Sequence, residues 1–254
     1  YKQYLENRVK HRQRNERASE VKMSKPTLLI MAGGTGGHVF PGLAVAHDMC
    51  KHGWNIEWIG TRDKMEAEIV PKHGFQIHFI DIGGLRGKSI ARKLLTPFKL
   101  LSALFQSIKL LRRIKPNAVL GMGGYASGPG GIAAWLLKLP LVIHEQNAVA
   151  GMTNRILAKF ATTVMTAFPN AFSEKIKVKQ IGNPLREQII DIYYQAKTTI
   201  PKDRKINLLV LGGSLGALGL NQGVPAALAR VDLSIRPNVW HQTGKNKAHV
   251  TKED

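Results

Sequence analysis

The stretch LLIMAGGTGGHVFPGLAVAHDM, Leu28 to Met49, decides the fold of this chain. It begins with a short apolar run typical of a buried strand, passes through five residues of which four are glycine, and continues with apolar residues at helical spacing. A strand, a glycine loop and a helix in this order leave backbone N–H groups and the positive end of the helix dipole uncovered. The stretch therefore predicts a site for a phosphate or diphosphate group.

The glycine spacing differs from the dinucleotide-binding fingerprint. Gly34 and Gly36 match the first two glycines of G-x-G-x-x-G, but Val39 stands where the third belongs. His38 follows the loop directly and brings an imidazole, which exchanges protons near neutral pH, next to the predicted anion site. Two questions stay open. The loop is either an anion site or a tight turn that needs glycine only for packing, and His38 either has a chemical role or is a surface or capping residue.

Composition limits the class of protein. The 254 residues, 44% of them hydrophobic, suffice for one large domain or two small ones. Cys50 is the single cysteine, so no internal disulfide forms and a reducing compartment is favoured. No apolar run reaches the roughly 18 residues of a membrane span, and the polar N-terminus does not resemble a secretory signal. Residues 1–22 are polar and basic, and we predict that they form a disordered leader before Met23.

The formal net charge of +20 calls for an anionic partner. Nucleic acid is not expected, because the chain has no zinc-ligand spacing, RNP-like aromatic motif or recognition-helix pattern. Between Asp81 and Glu145 there is no acidic residue, and apolar residues from Leu94 to Leu111 recur at helical spacing among lysines and arginines. This amphipathic segment is either a core-facing helix with a solvated charged face or a surface for anionic lipid headgroups, and both can hold.

The remaining pattern predicts an α/β fold. Apolar strands at 55–59, 76–82, 118–120 and 141–143 alternate with helices around 66–73, 94–114 and 132–137. Continuous apolar strands separated by helices indicate a doubly wound parallel sheet that is covered on both faces. Such a sheet holds its ligands at the carboxyl ends of its strands.

Three loops at predicted strand ends carry polar groups. GMGGYASGPGG, 121–131, carries Tyr125 and Ser127, and either completes a phosphate or sugar pocket or is structural. HEQNAVAG, 144–151, places a carboxylate (Glu145), an amide (Asn147) and an imidazole (His144) just past a strand, where they suit a general base and hydroxyl-binding groups, or its side chains cap the next helix. IGNPLRE, 181–187, carries Arg186 and is typical of a helix start or a hinge.

The first corner recurs near the C-terminus. LLVLGGSLGALGLN, 208–221, again combines an apolar strand, paired glycines, a hydroxyl residue and a helix, which predicts two Rossmann-like halves with two phosphate-binding corners that face one cleft. We predict an N-terminal domain over 23–186, a linker over 187–204 and a partial second domain over 205–254. The second domain is expected to be truncated, because a strand, a helix and a strand cannot close a doubly wound domain.

Six motifs occur together and in the order found in a known family: MAGGTGGHVFPGLAVA at 31–46, GLRGK at 84–88, LGMGGYASGPGG at 120–131, HEQNAVAGMTN at 144–154, GNPLR at 182–186 and LLVLGGSLGA at 208–217. Through them, residues 23 to about 245 resemble the MurG family of bacterial glycosyltransferases, glycosyltransferase family 28. The resemblance implies the two-domain GT-B fold. It also implies inverting transfer of N-acetylglucosamine from UDP-N-acetylglucosamine to the C4 hydroxyl of lipid I, which gives lipid II for peptidoglycan synthesis.

The resemblance further implies a peripheral enzyme at the cytoplasmic face of the inner membrane, with an anionic phospholipid surface as partner and without a catalytic metal or cofactor. By position, the donor-contacting residues would be Thr35, Gly36, Gly37, Asn147, Arg186 and Ser214. His38 and Glu145 are the two candidates for the proton acceptor, and Tyr125 would lie in the acceptor pocket. Because later C-terminal motifs of the family are absent, we expect little or no activity from this chain by itself.

Two other classes of function stay open on the residues alone. A nicotinamide-dependent oxidoreductase would need the third fingerprint glycine and an acid at the end of the second strand, where Asp63 is badly placed. A basic module that binds membranes or nucleic acid would need only the charge. Selective binding of UDP-N-acetylglucosamine or lipid I would separate the transferase from both.

Overall fold

The computed structural model describes residues 25–82, 90–195, 205–213, 216–244 and 246–251, with the backbone alone at 90–95 and 249–250. Contacts divide the chain into a first unit that ends at Ile190 and a second that begins at Asp191. The predicted leader, 1–22, and the GLRGK motif, 84–88, lie outside the described residues. The domain bounds predicted from the sequence, 23–186, 187–204 and 205–254, stay a prediction.

The first unit is built on a seven-stranded sheet in the order β3-β2-β1-β4-β5-β6-β7, in which every pairing is parallel. Its strands are β1 (Thr27–Ala32), β2 (Asn55–Gly60), β3 (Gln76–Phe79), β4 (Ala118–Gly123), β5 (Leu141–Glu145), β6 (Thr163–Thr166) and β7 (Lys179–Gln180). Its helices are α1 (Gly36–Lys51), α2 (Met65–Lys72), α3 (Ile90–Ile114), α4 (Ser127–Leu136) and α5 (Met152–Leu157), followed by α6 (Glu187–Gln195) across the division between the units. The predicted doubly wound parallel sheet is confirmed.

The central strand β1 shows why this sequence forms a sheet with two covered faces. Its residues Leu29 to Ala32 are all fully buried. Successive side chains of a strand point to opposite faces. Accordingly, Leu29 and Met31 belong to one apolar cluster, whereas Leu28 and Ile30 belong to another that includes Trp58. A continuous apolar run is therefore the pattern that this central position requires.

The structure corrects several predicted bounds. Helix α4 begins at Ser127 and not at 132, and Gly121 to Gly123 belong to β4, so only a short turn remains of the predicted loop 121–131. The glycines there serve close packing, since a Cβ at Gly131 would lie 2.7 Å from both methyl carbons of Leu157. Helix α3 begins at Ile90 and not at 94. No bounds were predicted for α5, the helix that follows the loop 144–151, and β6 was not predicted.

The second unit contains the parallel pair β8 (Asn207–Leu211) and β9 (Asn238–Gln242), the helix α7 (Leu218–Ala229) and a 3₁₀ turn, Ala248–Thr251. Strand, glycines and helix follow one another here as they do in the first unit. The first half of the predicted linker is not irregular, because α6 spans Glu187–Gln195.

Candidate functional site

The glycine loop after β1 opens directly into helix α1. The helix starts at Gly36, so His38 is its third residue and does not belong to the loop. Thr35 is the N-cap and has an extended backbone, but its side chain makes no capping hydrogen bond. The first amides of a helix have no acceptor within that helix. The start of α1 at Gly36 and Gly37 therefore offers donors, together with the positive end of the helix dipole, to an anion.

A buried carboxylate that sequence analysis missed holds the loop in place. Glu66 in α2 is fully buried. Its carboxylate accepts hydrogen bonds from Gly34 N at 2.9 Å, Thr61 N at 3.0 Å and Thr61 Oγ1 at 2.8 Å. The amide of Gly34 is thus already paired, so an anion has to use the first turn of α1. The signal in the sequence was spacing: Glu66 lies one helical turn before the buried Val70.

The second glycine-rich segment lies against the first. Gly33 N donates a hydrogen bond to Gly123 O at 3.4 Å. Gly123 and Gly124 have φ values of +108° and +93°, which disfavour any other residue. A Cβ at Gly123 would also lie 2.8 Å from Cε1 of His38, and one at Gly124 would overlap Gly33 O. These glycines allow the two turns and the His38 ring to share one small space.

The polar residues of this second segment have structural partners. Ser127 is fully buried, and its Oγ lies 2.8 Å from both Met31 O and Gly123 O. The hydroxyl therefore joins β1 to β4 at the sheet edge. Tyr125 is partly buried and packs against an apolar cluster that includes Met31. The hydroxyl of Ser127 is thus bound within the fold, whereas the side chain of Tyr125 stays partly exposed beside the glycine corner.

Glu145 does not have the surroundings of a proton acceptor. It ends β5 and is fully buried. One oxygen accepts hydrogen bonds from Asn147 N at 3.0 Å and Asn147 Nδ2 at 2.8 Å; the other accepts from Gly151 N at 3.1 Å and Asn154 Nδ2 at 2.9 Å. Four donors occupy the positions that a substrate hydroxyl would need. The geometry thus favours the alternative in which this carboxylate shapes the loop before α5.

His38 keeps a nitrogen for chemistry. Its ring is partly exposed, and Nδ1 lies 2.7 Å from Oε1 of Gln146. An amide oxygen only accepts, so Nδ1 carries the proton and Nε2 of the neutral ring is left with its lone pair. Gln146 is a second residue that sequence analysis missed, although it lies inside the motif HEQN. The identity of the proton acceptor stays a prediction, and these contacts distinguish its two candidates.

The remaining predicted contacts are distributed around α1. The guanidinium of Arg186 lies 4.8 Å from the ring centroid of Phe40, and the neighbouring Glu187 forms an exposed ion pair with Lys51 at 2.8 Å. A Cβ at Gly36 would lie 3.0 Å from the Phe40 ring, so Arg186 stands next to the helix start. The side chain of the exposed Asn147 is bound to Glu145. Ser214 lies outside the described residues.

The corner of the second unit is also built on glycine. Gly213 and Gly216 have φ values of +75° and +68°, and Gly216 N donates to Gly213 O at 3.0 Å. A Cβ at Gly216 would overlap Thr243 O, which also accepts a hydrogen bond from Asn221 Nδ2 at 2.9 Å. Glycine is therefore required for this turn to approach the end of β9. That the two corners share one cleft stays a prediction.

Comparison with known proteins supports this picture. A family model described as the glycosyltransferase family 28 N-terminal domain matches residues 28–166. A curated relative from Tolumonas auensis, named UDP-N-acetylglucosamine--N-acetylmuramyl-(pentapeptide) pyrophosphoryl-undecaprenol N-acetylglucosamine transferase, is 51% identical over 227 residues, which are 89% of this chain and 63% of the relative. The chain thus spans about three fifths of the length of that relative.

Solved structures of glycosyltransferases also match this chain. The crystal structure of Acinetobacter baumannii MurG matches with a TM-score of 0.70 and 40% sequence identity, over 89% of this chain and 63% of that chain. A glycosyltransferase of kitacinnamycin matches with a TM-score of 0.55 at 13% identity, over 87% and 72% of the two chains, and shows the fold alone. The predicted GT-B fold class is confirmed, and the matched family model covers more than half of the sequence. The chain belongs to glycosyltransferase family 28.

Proposed function

We propose that this chain is the acceptor-binding part, with the start of the donor-binding part, of a transferase that moves N-acetylglucosamine from UDP-N-acetylglucosamine to lipid I and forms lipid II. The observation that carries the proposal is the pairing of an uncapped helix start, Gly36 and Gly37, with a histidine whose Nδ1 is tied to Gln146. The names of the relatives at about 50% identity support the same donor and acceptor.

The chemistry follows from what the corner offers. Nε2 of His38 accepts the proton of the sugar hydroxyl as that oxygen attacks the anomeric carbon of the donor, and UDP leaves from the opposite face. Attack opposite to the leaving group inverts the anomeric centre. Backbone amides at helix starts stabilise diphosphate charge in a preorganised way, and no metal is required for that role.

The anionic substrates match the charges near the corner. Arg186 places a guanidinium beside α1, and a guanidinium can form two parallel hydrogen bonds to phosphate oxygens. We assign Thr35, Gly36, Gly37 and Asn147 to substrate contacts around the corner and Tyr125 to the acceptor pocket. Ser214 would act in the same way at the second glycine corner. Glu145 takes the role of the residue that shapes the Asn147 turn.

We propose that α3 docks the protein on an anionic membrane surface. Ala103, Ser107 and Leu111 on one face of this helix are buried. The opposite face exposes an apolar stripe that we name the α3 patch: Phe98, Leu101 and Phe105, which are 71%, 51% and 63% exposed. The exposed cations Lys99, Lys109 and Arg112 lie on the same helix. Apolar side chains flanked by cations are typical of interfacial helices, and each cation near the surface contributes about 1 kcal/mol.

Among the helices in the described part of the chain, none has both the length and the apolar character needed to cross a bilayer. We propose that the α3 patch associates peripherally with the cytoplasmic face of the bacterial inner membrane. There the enzyme would meet a lipid-linked acceptor.

The membrane proposal predicts a loss of vesicle binding when the α3 patch is made polar. Changing Phe98, Leu101 and Phe105 together to serine is expected to weaken binding to phosphatidylglycerol vesicles at least about 10-fold, because three apolar side chains no longer enter the interface. Sedimentation with vesicles measures this. The matched control changes Leu218, Leu233 and Ile235, which are 57%, 72% and 70% exposed in the second unit, to serine. An equal loss in both triple variants would contradict docking through α3.

The transfer itself is tested with labelled UDP-N-acetylglucosamine and a lipid I analogue. We expect little product from this chain, and robust inverted product from a chimera that extends it with the C-terminal part of the Tolumonas auensis relative. Product with retained anomeric configuration would exclude the direct displacement described above. A folded chimera that binds neither substrate would overturn the proposed function.

A further inference from the structure

A row of hydrogen bonds lies behind His38 and extends away from the proposed site. Nδ1 of His38 meets Oε1 of Gln146 at 2.7 Å. Nε2 of Gln146 meets Nδ1 of His144 at 2.9 Å and also lies 2.9 Å from the carbonyl oxygen of His144. Nε2 of His144 meets the carbonyl oxygen of Gly182 at 2.9 Å. The row joins α1, the end of β5 and the segment after β7.

The direction of every proton in this row is determined by groups that only accept. The Gly182 carbonyl accepts, so Nε2 of His144 donates and Nδ1 of a neutral His144 is a lone pair. The His144 carbonyl also accepts, so the amide nitrogen of Gln146 has to point to His144. The amide oxygen of Gln146 then points to His38 and accepts from its Nδ1. The carbonyl oxygens of Gly182 and His144 thus both require the same orientation of the Gln146 amide.

Burial favours the neutral form of His144 that this row of hydrogen bonds needs. His144 is 2% exposed and Gln146 is 7% exposed. Desolvation lowers the pKa of His144 below its ordinary value of 6.5, against smaller opposing effects of the Gly182 hydrogen bond and the Glu145 charge. His144 is therefore neutral at pH 7, as the row requires. Because its folded pKa is lowered, the neutral ring contributes stability that is present above pH 6.5 and is lost as the pH falls.

We propose that Gln146, held by His144, is a positioning residue that fixes His38 in the tautomer with the proton on Nδ1 and the lone pair on Nε2. The inference rests on the proposed function only for its catalytic meaning, since the tautomer itself is a property of the folded chain. The row orients the imidazole and relays no proton, because a neutral amide neither gains nor loses one.

An amide suits this task for an electrostatic reason. A carboxylate in place of Gln146 would also fix the tautomer, but its negative charge would favour the imidazolium form of the ring. A general base has to be neutral before it accepts the substrate proton. The amide fixes the ring without adding charge, which suits a site that already has to accommodate diphosphates.

The far end of the row lies in the segment that carries Arg186. Gly182 has a φ of +82°, which favours glycine, and its carbonyl is held by His144. Four residues later Arg186 lies over Phe40 in α1. The same short segment thus supplies one proposed substrate contact and anchors the orientation of the proposed base.

The test is the tautomer of His38 in the intact chain. Two-bond ¹H–¹⁵N correlation spectra of histidine-labelled protein, recorded well above pH 6.5, distinguish Nδ1–H from Nε2–H, and a His38→Gln variant assigns the signal. We expect Nδ1–H in the unaltered chain and in Gln146→Glu, and a shift towards Nε2–H, the form preferred in water, in Gln146→Met. The control Gln76→Met changes an exposed glutamine on β3 and should leave the His38 signal unchanged.

The outcomes separate this inference from the proposed function. An Nε2–H signal for His38 in the unaltered chain would overturn the positioning role, whatever the transfer assay gives. An Nδ1–H signal combined with full transfer by a His38→Gln chimera would keep the row and overturn the role of His38 as base. If both proposals hold, Gln146→Met lowers kcat of the chimera at least about 10-fold with little change in the KM for the donor, and Gln146→Glu restores part of the rate.

Discussion

Replacing His38 with glutamine is expected to lower the rate of transfer by the chimera about 10²- to 10⁴-fold, the range that a general base contributes. Glutamine fills a similar volume and can still form a hydrogen bond, but it cannot accept the hydroxyl proton. The loss should appear in kcat, with the KM for the donor almost unchanged, because the amides at the start of α1 remain. Initial rates with labelled donor at saturating acceptor measure it.

The matched control is His52→Gln at the other end of α1. His52 is exposed and makes local contacts with Asp48 only, at the end of the same helix. We expect the rate of this variant to stay within about two-fold of the unaltered protein, since exposed substitutions of this kind change stability by less than about 0.5 kcal/mol. A His38→Gln chimera as fast as the His52→Gln control would show that His38 is not the base.

Most of the fold could be predicted from the sequence, because strands, turns and helices are marked by patterns of neighbouring residues. The run Leu28 to Ala32 is apolar at every position, and the structure buries it between two clusters. The paired glycines that follow mark where the strand turns into a helix. Both properties are contained within about ten residues, so pattern and turn chemistry suffice to predict them.

The contacts of the candidate site could not be predicted in the same way, because they join residues that are distant in sequence. Glu66 meets Gly34 across 32 residues, and Gln146 meets His38 across 108. No local pattern encodes such pairs, since they arise where neighbouring parallel strands end at one sheet edge. The sequence placed His38, Glu145 and Asn147 near that edge but did not reveal which of them was already hydrogen-bonded within the fold.

Helix α3 illustrates a different limit. Its spacing of apolar and basic residues predicted an amphipathic helix, and the structure contains it as Ile90–Ile114. The pattern alone did not show which apolar residues of α3 face the core. Ala103 and Phe105 are both apolar and differ only in burial. The fold buries Ala103 and leaves Phe105 63% exposed. Packing within the first unit therefore decides which apolar residues of α3 stay exposed.

Replacing Glu145, the other predicted proton acceptor, is expected to lower the stability of the fold, whereas replacing His38 is expected to lower the rate. Glu145→Ala removes the acceptor of Asn147 N, Asn147 Nδ2 and Gly151 N, and it removes one of two acceptors of Asn154 Nδ2, which also donates to His144 O at 3.2 Å. Each buried donor that is left without an acceptor costs about 1–3 kcal/mol, and several donors of this loop are affected at once. That is a large share of the stability of a domain, which is about 5–15 kcal/mol. Chemical denaturation of this chain measures the change in its free energy of unfolding.

Glu145→Gln separates structure from catalysis. Glutamine keeps one oxygen for Asn147 but turns an amide nitrogen towards two donors, so we expect an intermediate loss of stability. The control Glu187→Gln alters an exposed carboxylate that forms an ion pair with Lys51 and should change unfolding little. If Glu145 shapes the loop, transfer in the chimera should fall in step with stability and recover at lower temperature. A Glu145→Gln chimera that is fully stable yet inactive at every temperature would restore Glu145 as the proton acceptor and remove His38 from that role.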